Sequence, residues 1–208
     1  ASGIENIQWT DSFEGIFRVL MTYCSTIYLN QNDHDRATSA VPYLELRFAA
    51  EVRAKYPAHQ IERASPIMHN LRACKSEIEI QLMSQACAIT EKAFRRVLGF
   101  IRPGVWEYEI EAEITHEFLR NRATGHAYTP IIASGASACV LHYIENNKQC
   151  RDGEVILMDF GSEYANYMSD LTRSVPVNGK FTQRQRDVYQ AVLRVMKYAK
   201  SMLRPGTK

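Results

Sequence analysis

The stretch EVILMDFGSEYANYMSDLTRS, residues 154–174, constrains this chain more than any other. It reads as two strands joined by a tight connection, with Asp159 in the first and Asp170 in the second. The midpoint between the acids falls at Tyr164 and Ala165. If the strands fold back there, the carboxylates stand directly opposite one another, with Cβ atoms roughly 4.5–5.5 Å apart, where like charges repel. Val155, Ile156, Leu157 and Met158 place apolar side chains on both faces of the first strand, the pattern of a strand buried on both sides. A carboxylate buried there needs neutralising. Shared divalent cations would do this, and two-metal hydrolytic sites hold their ions about 3.5–4 Å apart. The same spacing also describes an ordinary hairpin with two surface aspartates.

The bulk numbers set the class. The chain has 208 residues, 46% hydrophobic and 23% charged, enough for one or two globular domains with a real core. Its formal net charge of +2, with both signs mixed along the chain, argues against a nucleic-acid or anionic-membrane surface. The five cysteines, Cys24, Cys74, Cys87, Cys139 and Cys150, are scattered without C-x-x-C spacing. They read as free thiols in a reducing compartment, and with no leader or spanning segment in view the expectation is a cytoplasmic protein.

Residues 1–69 alternate helix and strand patterns: helix from Asp11 to Met21, strand over 24–30, helix from Val41 to Tyr56, strand over 59–63. This is an α/β piece of about half a domain, so upstream sequence is expected to be missing. Residues 64–70, with Pro66, read as a linker. A long helix follows, with Ser76 and Glu79 forming a capping box and Leu82, Met83, Ala86, Ile89, Ala93, Phe94, Val97, Leu98 and Ile101 forming a core face. It stops at Arg102-Pro103-Gly104. A second helix runs from Trp106 to Arg122, and strands are expected over 128–133, 139–144, 154–160 and 166–175. Thr182 and Gln185 cap a last helix whose apolar stripe is Val188, Val192, Val195, Met196, Ala199 and Leu203. Its end, Leu203-Arg204-Pro205-Gly206, echoes Ile101-Arg102-Pro103-Gly104. A helix–RPG–helix–strands unit is thus complete and a second one begun, which would place a similar unit after Lys208.

His142 falls on the expected strand 139–144. Beside a metal-activated water, a neutral imidazole could bind substrate or carry a proton; it could equally be a packed or surface histidine. Thr172 shares a strand face with Asp170 and could orient it, or could be there as a good strand former. Tyr128 could line a pocket or be a core tyrosine. His34, His59, His69, His116 and His126 show no partner pattern and are read as structural.

LHYIENN (residues 141–147), VILMDFGSEY (155–164) and YMSDLTRSVPVNGKFTQRQRDVY (167–189) together resemble the pita-bread metallopeptidases of the creatinase/methionine aminopeptidase type. Within that family the SD-x-TR and P-V-N-G-K-F-T runs look like the Xaa-Pro aminopeptidase (aminopeptidase P) branch rather than the methionine aminopeptidases; prolidases share much of this text. The resemblance covers residues 65–208. It implies an α/β (α+β) architecture: the latter part of a creatinase-like N-terminal domain over 1–64, then the first half of a pita-bread domain.

The resemblance also implies a dinuclear metal site, usually manganese (cobalt or zinc being the alternatives), with Asp159 and Asp170 as ligands and His142 as the catalytic histidine that meets substrate or moves protons. The remaining ligands, a histidine and two glutamates, belong to the family's second half. The expected activity is metal-dependent hydrolysis of the peptide bond before a proline in second position, by a hydroxide bridging the ions. It would belong to a longer parent, with this chain an inactive fragment. A prolidase and a non-catalytic peptide- or protein-binding module are the alternatives. Peptides with proline in second position are the expected partners, and a homo-oligomer is expected by analogy.

Overall fold

The computed structural model describes residues 3–31 and 40–207. They form two compact units, residues 1–75 and 76–208. In the first, α1 (Phe13–Met21) precedes a βαβ crossover: β1 (Thr26–Leu29), α2 (Leu44–Lys55) and β2 (Gln60–Arg63), with the two strands paired in parallel, Thr26 against Gln60. A small core of Leu29, Ala49 and Val52 is closed by Phe17, Phe48 and Tyr56. The segment expected as a linker is instead the start of α3 (Ser65–Ala73). Pro66 lies in its first turn, where a missing N–H costs nothing, so it starts a helix rather than breaking one. As α3 falls within the first unit, the units divide between Lys75 and Ser76.

The second unit begins at α4 (Glu77–Phe100), capped as the sequence predicts: Ser76 N–H donates to Glu79 Oε2 at 2.6 Å, and Glu79 N–H returns to Ser76 Oγ. α5 (Glu107–Arg120) packs against it. Ile89, Ala93 and Val97 from α4 meet Ile110, Ile114 and Phe118 from α5, all without solvent exposure. Beneath the helices lie two small antiparallel sheets. One orders β3 (Gly125–His126), β6 (Ser162–Tyr164) and β7 (Tyr167–Met168); the other orders β4 (Ile131–Ser134), β5 (Val155–Phe160) and β8 (Leu171–Pro176).

β5 alternates strictly: Ile156, Met158 and Phe160 are fully buried under the helices, whereas Val155, Leu157 and Asp159 are only partly covered. The expected burial on both faces is therefore corrected, because α4 and α5 cover one face and leave the Asp159 face as the wall of a cleft. The last helix, α6 (Gln183–Met202), carries the predicted Thr182–Gln185 box but buries no residue. Val192 and Val195 are 63% and 68% exposed, and an apolar groove of about 540 Å³ runs between α6 and the outer side of β5 and β8. An amphipathic helix gains its stability by burying that stripe. Here the stripe has no cover among the described residues.

β5–β6 and β7–β8 are one long ribbon, and its register differs from the sequence reading. The turn is Ala165-Asn166, both at positive φ (51° and 66°), the two-residue geometry whose twist suits a hairpin. Glu163 pairs with Met168 and Asp159 with Thr172. The turn centre lies one residue later than the midpoint of the acids, which offsets them by two. Asp159 and Asp170 are thus diagonal neighbours on the same face, not directly opposed.

Where the ribbon crosses itself, a Cβ on Gly161 would lie 1.7 Å from the Ser169 carbonyl oxygen. Hydroxyls fill the rest of the crossing. Ser162 N–H is met by Thr90 Oγ1 (2.9 Å) and Ser169 Oγ (3.0 Å), and Ser162 Oγ donates to the Ala86 carbonyl of α4.

His126 packs edge-on against Phe118, away from the acids. Its Nε2 lies 2.8 Å from Thr115 Oγ1, whose own proton goes to the Glu111 carbonyl, so Nε2 is the donor and the buried Nδ1 has no partner among the described residues. Burial therefore lowers its pKa, against a smaller opposing pull from Glu111. Below its ordinary value of 6.5 the unfolded chain takes up a proton that the folded one resists. Stability is expected to fall as pH drops through that value, and His126→Gln to flatten the slope in urea titrations at pH 5 to 8. Separately, Gly161→Ala should cost about 3 kcal/mol or more, because backbone must shift to admit the methyl group; an unchanged urea midpoint would show that the crossing opens freely.

Candidate metal and catalytic site

Three side chains singled out from sequence, Asp159, Asp170 and His142, line one cleft of about 430 Å³, together with Tyr128, Thr129, Ile131 and Ile144. Asp159 is near the end of β5 and half-buried. Asp170 sits just before β8 and is exposed. Thr172, across from Asp159, is exposed on the same face.

Tyr128 reaches both acids. Its hydroxyl lies 2.6 Å from Asp159 Oδ1 and 3.1 Å from Asp170 Oδ1. It gets there through a bulge. β3 pairs His126 with Ser162 and β4 pairs Ile131 with Asp159, so the four residues 127–130 stand opposite only two. Ala127 N–H, held by the Gly161 carbonyl at 2.8 Å, fixes the start of that bulge. Surplus residues in a ladder bend the strand and re-aim a side chain, here the phenol. Burial raises the Tyr128 pKa, and its bonds to Asp159 and then Asp170 raise it further, so it remains a hydroxyl at neutral pH. A hydroxyl has one proton. It serves the closer Asp159, and the second anionic oxygen is left beside the phenol without one.

His142 is not on a strand. Residues 135–139 form a 3-10 turn, and His142 follows in an irregular loop at φ +56°. The loop's polar groups are claimed by side chains instead of a ladder. Ile132 N–H of β4 donates to Asn146 Oδ1, and Asn146 Nδ2 donates to the Pro130 carbonyl and to Glu111. Val140, Leu141 and Ile144, which made the segment look strand-like, are exposed. The loop is nonetheless ordered enough to bring the imidazole into the cleft with the acids.

Sequence reasoning undervalued two residues. Of the two places open to Tyr128, pocket and core, the structure puts it in the pocket. Glu107 carried no expectation at all, although it shares the α5 stripe with Ile110, Ile114 and Phe118, and a carboxylate on an apolar stripe is a readable anomaly.

The model of metallopeptidase family M24 matches residues 81–208, and the chain belongs to that family. It is 42% identical over 163 residues to the Xaa-Pro aminopeptidase of Escherichia coli K12, covering 78% of this chain and 37% of the relative. It is 45% identical over 141 residues to that of Haemophilus influenzae, covering 68% and 33%. Among solved structures, zinc-substituted E. coli aminopeptidase P in complex with product superposes with a TM-score of 0.82 at 34% identity, over 98% of this chain and 47% of that one. The chain thus spans between about a third and a half of the length of these three proteins.

Tyr128→Phe is expected to keep the fold and to lower stability by about 1 kcal/mol, since it removes a donor from a half-buried carboxylate. Thermal unfolding compared with a surface Tyr198→Phe control checks this.

Proposed function

We propose that this chain supplies one half of the metal and substrate site of an Xaa-Pro aminopeptidase, which hydrolyses the bond between an N-terminal residue and a following proline. The supporting observation is the cleft in which one phenol proton faces two carboxylate oxygens while His142 stands at the same opening. A divalent cation relieves that shortage of positive charge, and the donor set suits one. Carboxylate oxygens favour hard ions such as Mn²⁺, the metal we propose. Two carboxylates are too few to hold ions firmly, and no group of three or more His, Cys, Asp or Glu able to do so occurs among the described residues. The remaining ligands are those that the family resemblance assigns to its second half, outside this chain, so the fragment alone is inactive. The uncovered stripe of α6 fits the same reading.

Asp159 and Asp170 would hold the ions, which when bound supply a nucleophile at neutral pH and polarise the scissile carbonyl. The rest is done by this chain's own groups. Tyr128 donates to Asp159 and fixes which oxygen remains free to coordinate. His142, exposed and unencumbered by the loop's internal bonds, is placed to hydrogen-bond the substrate carbonyl oxygen or pass a proton. Proline nitrogen brings no N–H, so a site that recognises it relies on ring shape rather than on an acceptor. Five free cysteines and no helix long and apolar enough to cross a membrane, among the described residues, accord with a cytoplasmic enzyme.

In a version extended through the family's second half, Asp159→Asn and Asp170→Asn should abolish Mn²⁺ retention and turnover of an Xaa-Pro-Xaa tripeptide. His142→Asn should keep the metal and lower kcat about a hundredfold or more. Retained metal and activity in the aspartate variants would overturn the ligand assignment, and tight binding of two Mn²⁺ by the 208-residue chain in calorimetry would overturn the half-site reading.

A further inference from the structure

The most deeply buried acid in the second unit plays no part in the chemistry above. Glu107 is the first residue of α5 and has no solvent exposure. Its carboxylate accepts four hydrogen bonds. Oε1 takes Ser134 N–H and Ser134 Oγ–H, both at 2.7 Å; Oε2 takes Tyr143 Oη–H at 2.7 Å and Lys148 N–H at 2.9 Å. The helix N-terminus adds a favourable field. An acid is not needed to start a helix, and an apolar residue would fit the stripe of Ile110, Ile114 and Phe118 at lower desolvation cost.

The four donors have one thing in common. Ser134 ends β4 and opens the turn that leads into the loop; Tyr143 is the immediate neighbour of His142; Lys148 is on the returning limb. The return is zipped to the residues around Glu107: Glu107 N–H donates to the Lys148 carbonyl, and Cys150 N–H to the Val105 carbonyl. One carboxylate therefore grips the entry, the middle and the exit of the loop that carries His142. The grip on the middle is the one that matters for the imidazole. Tyr143 is 5% exposed, and its ring is fixed between the Glu107 carboxylate and the Lys148 ammonium, 5.7 Å from the ring centre. Tyr143 points inward, and the adjacent His142, at φ +56°, lines the cleft.

We propose that Glu107 is a positioning residue for His142: through Tyr143 and Lys148 its carboxylate holds the loop so that the imidazole faces the aspartate pair. The assignment rests on the reading of His142 as a working group of the site, but its geometry can be tested without any turnover.

The test uses the metal-free 208-residue chain. The ¹H–¹³C correlation of the His142 imidazole, assigned by its loss in His142→Asn, reports its surroundings. Amide exchange over residues 141–147 reports the loop. Glu107→Gln keeps the shape but turns an amide NH₂ against one pair of donors. It is expected to move or broaden the His142 signal and to speed exchange in 141–147 about tenfold or more, leaving the imidazole of His126, packed on Phe118, where it was. Tyr143→Phe removes only the phenol donor and should move the same two readouts in the same direction. It decides the matter if Glu107→Gln does not fold. An unmoved His142 signal with unchanged local exchange in folded Tyr143→Phe overturns the proposal. Displacement of His142 in these variants, combined with full activity of His142→Asn in the extended enzyme, would leave the positioning intact and sink the catalytic reading instead.

Discussion

The close crossing of the ribbon at Gly161 and Ser169 is the contact on which the site depends. A two-residue turn sets the register, and the crossing lets the two limbs that carry the acids draw together where a side chain would hold them apart. Around it, Thr90, Ser162 and Ser169 form a buried hydroxyl cluster in which each group finds partners, so the crossing is tied to α4 as well as to itself. The acid pair thus flanks a crossing tied by both backbone and hydroxyl bonds. Tyr128 and His142 arrive from less regular segments, a bulge and a loop, each held by particular side-chain and backbone bonds.

Much of this was legible in the residues. Period and capping chemistry located α4, α5 and α6, because Ser76–Glu79 and Thr182–Gln185 are local interactions that need no tertiary context. The acids were legible because each stands alone among strand formers, Asp159 within β5 and Asp170 just before β8. What the residues did not reveal was decided by partners far away in sequence. The register turned on whether the chain reverses at 164–165 or 165–166, a one-residue matter that Ala165 at positive φ does nothing to announce. The 139–144 strand failed because Asn146 takes the Ile132 N–H that a neighbouring strand would have taken. The linker reading of 64–70 rested on Pro66, which marks a helix start as readily as a break.

The two long helices of the second unit make an instructive pair. Both are capped by the same box, and both run into Arg-Pro-Gly with the glycine at positive φ, Gly104 and Gly206. α4 buries five residues and anchors the core; α6 buries none. Equal local signals have produced equal helices, and only the presence of something to pack against distinguishes them. Helix formation and helix burial are thus separable here, the first written in the segment itself and the second supplied from elsewhere.

Gly161 has a consequence for how such a chain can vary. The atom that a methyl group would strike is a main-chain carbonyl oxygen, which every amino acid at position 169 possesses. A clash with a side chain can be cured by shortening that side chain; a clash with the polypeptide itself cannot. Position 161 is therefore locked on the smallest residue whatever happens at 169, and inherited change around the acids has to run through their neighbours while this one hydrogen stays in place.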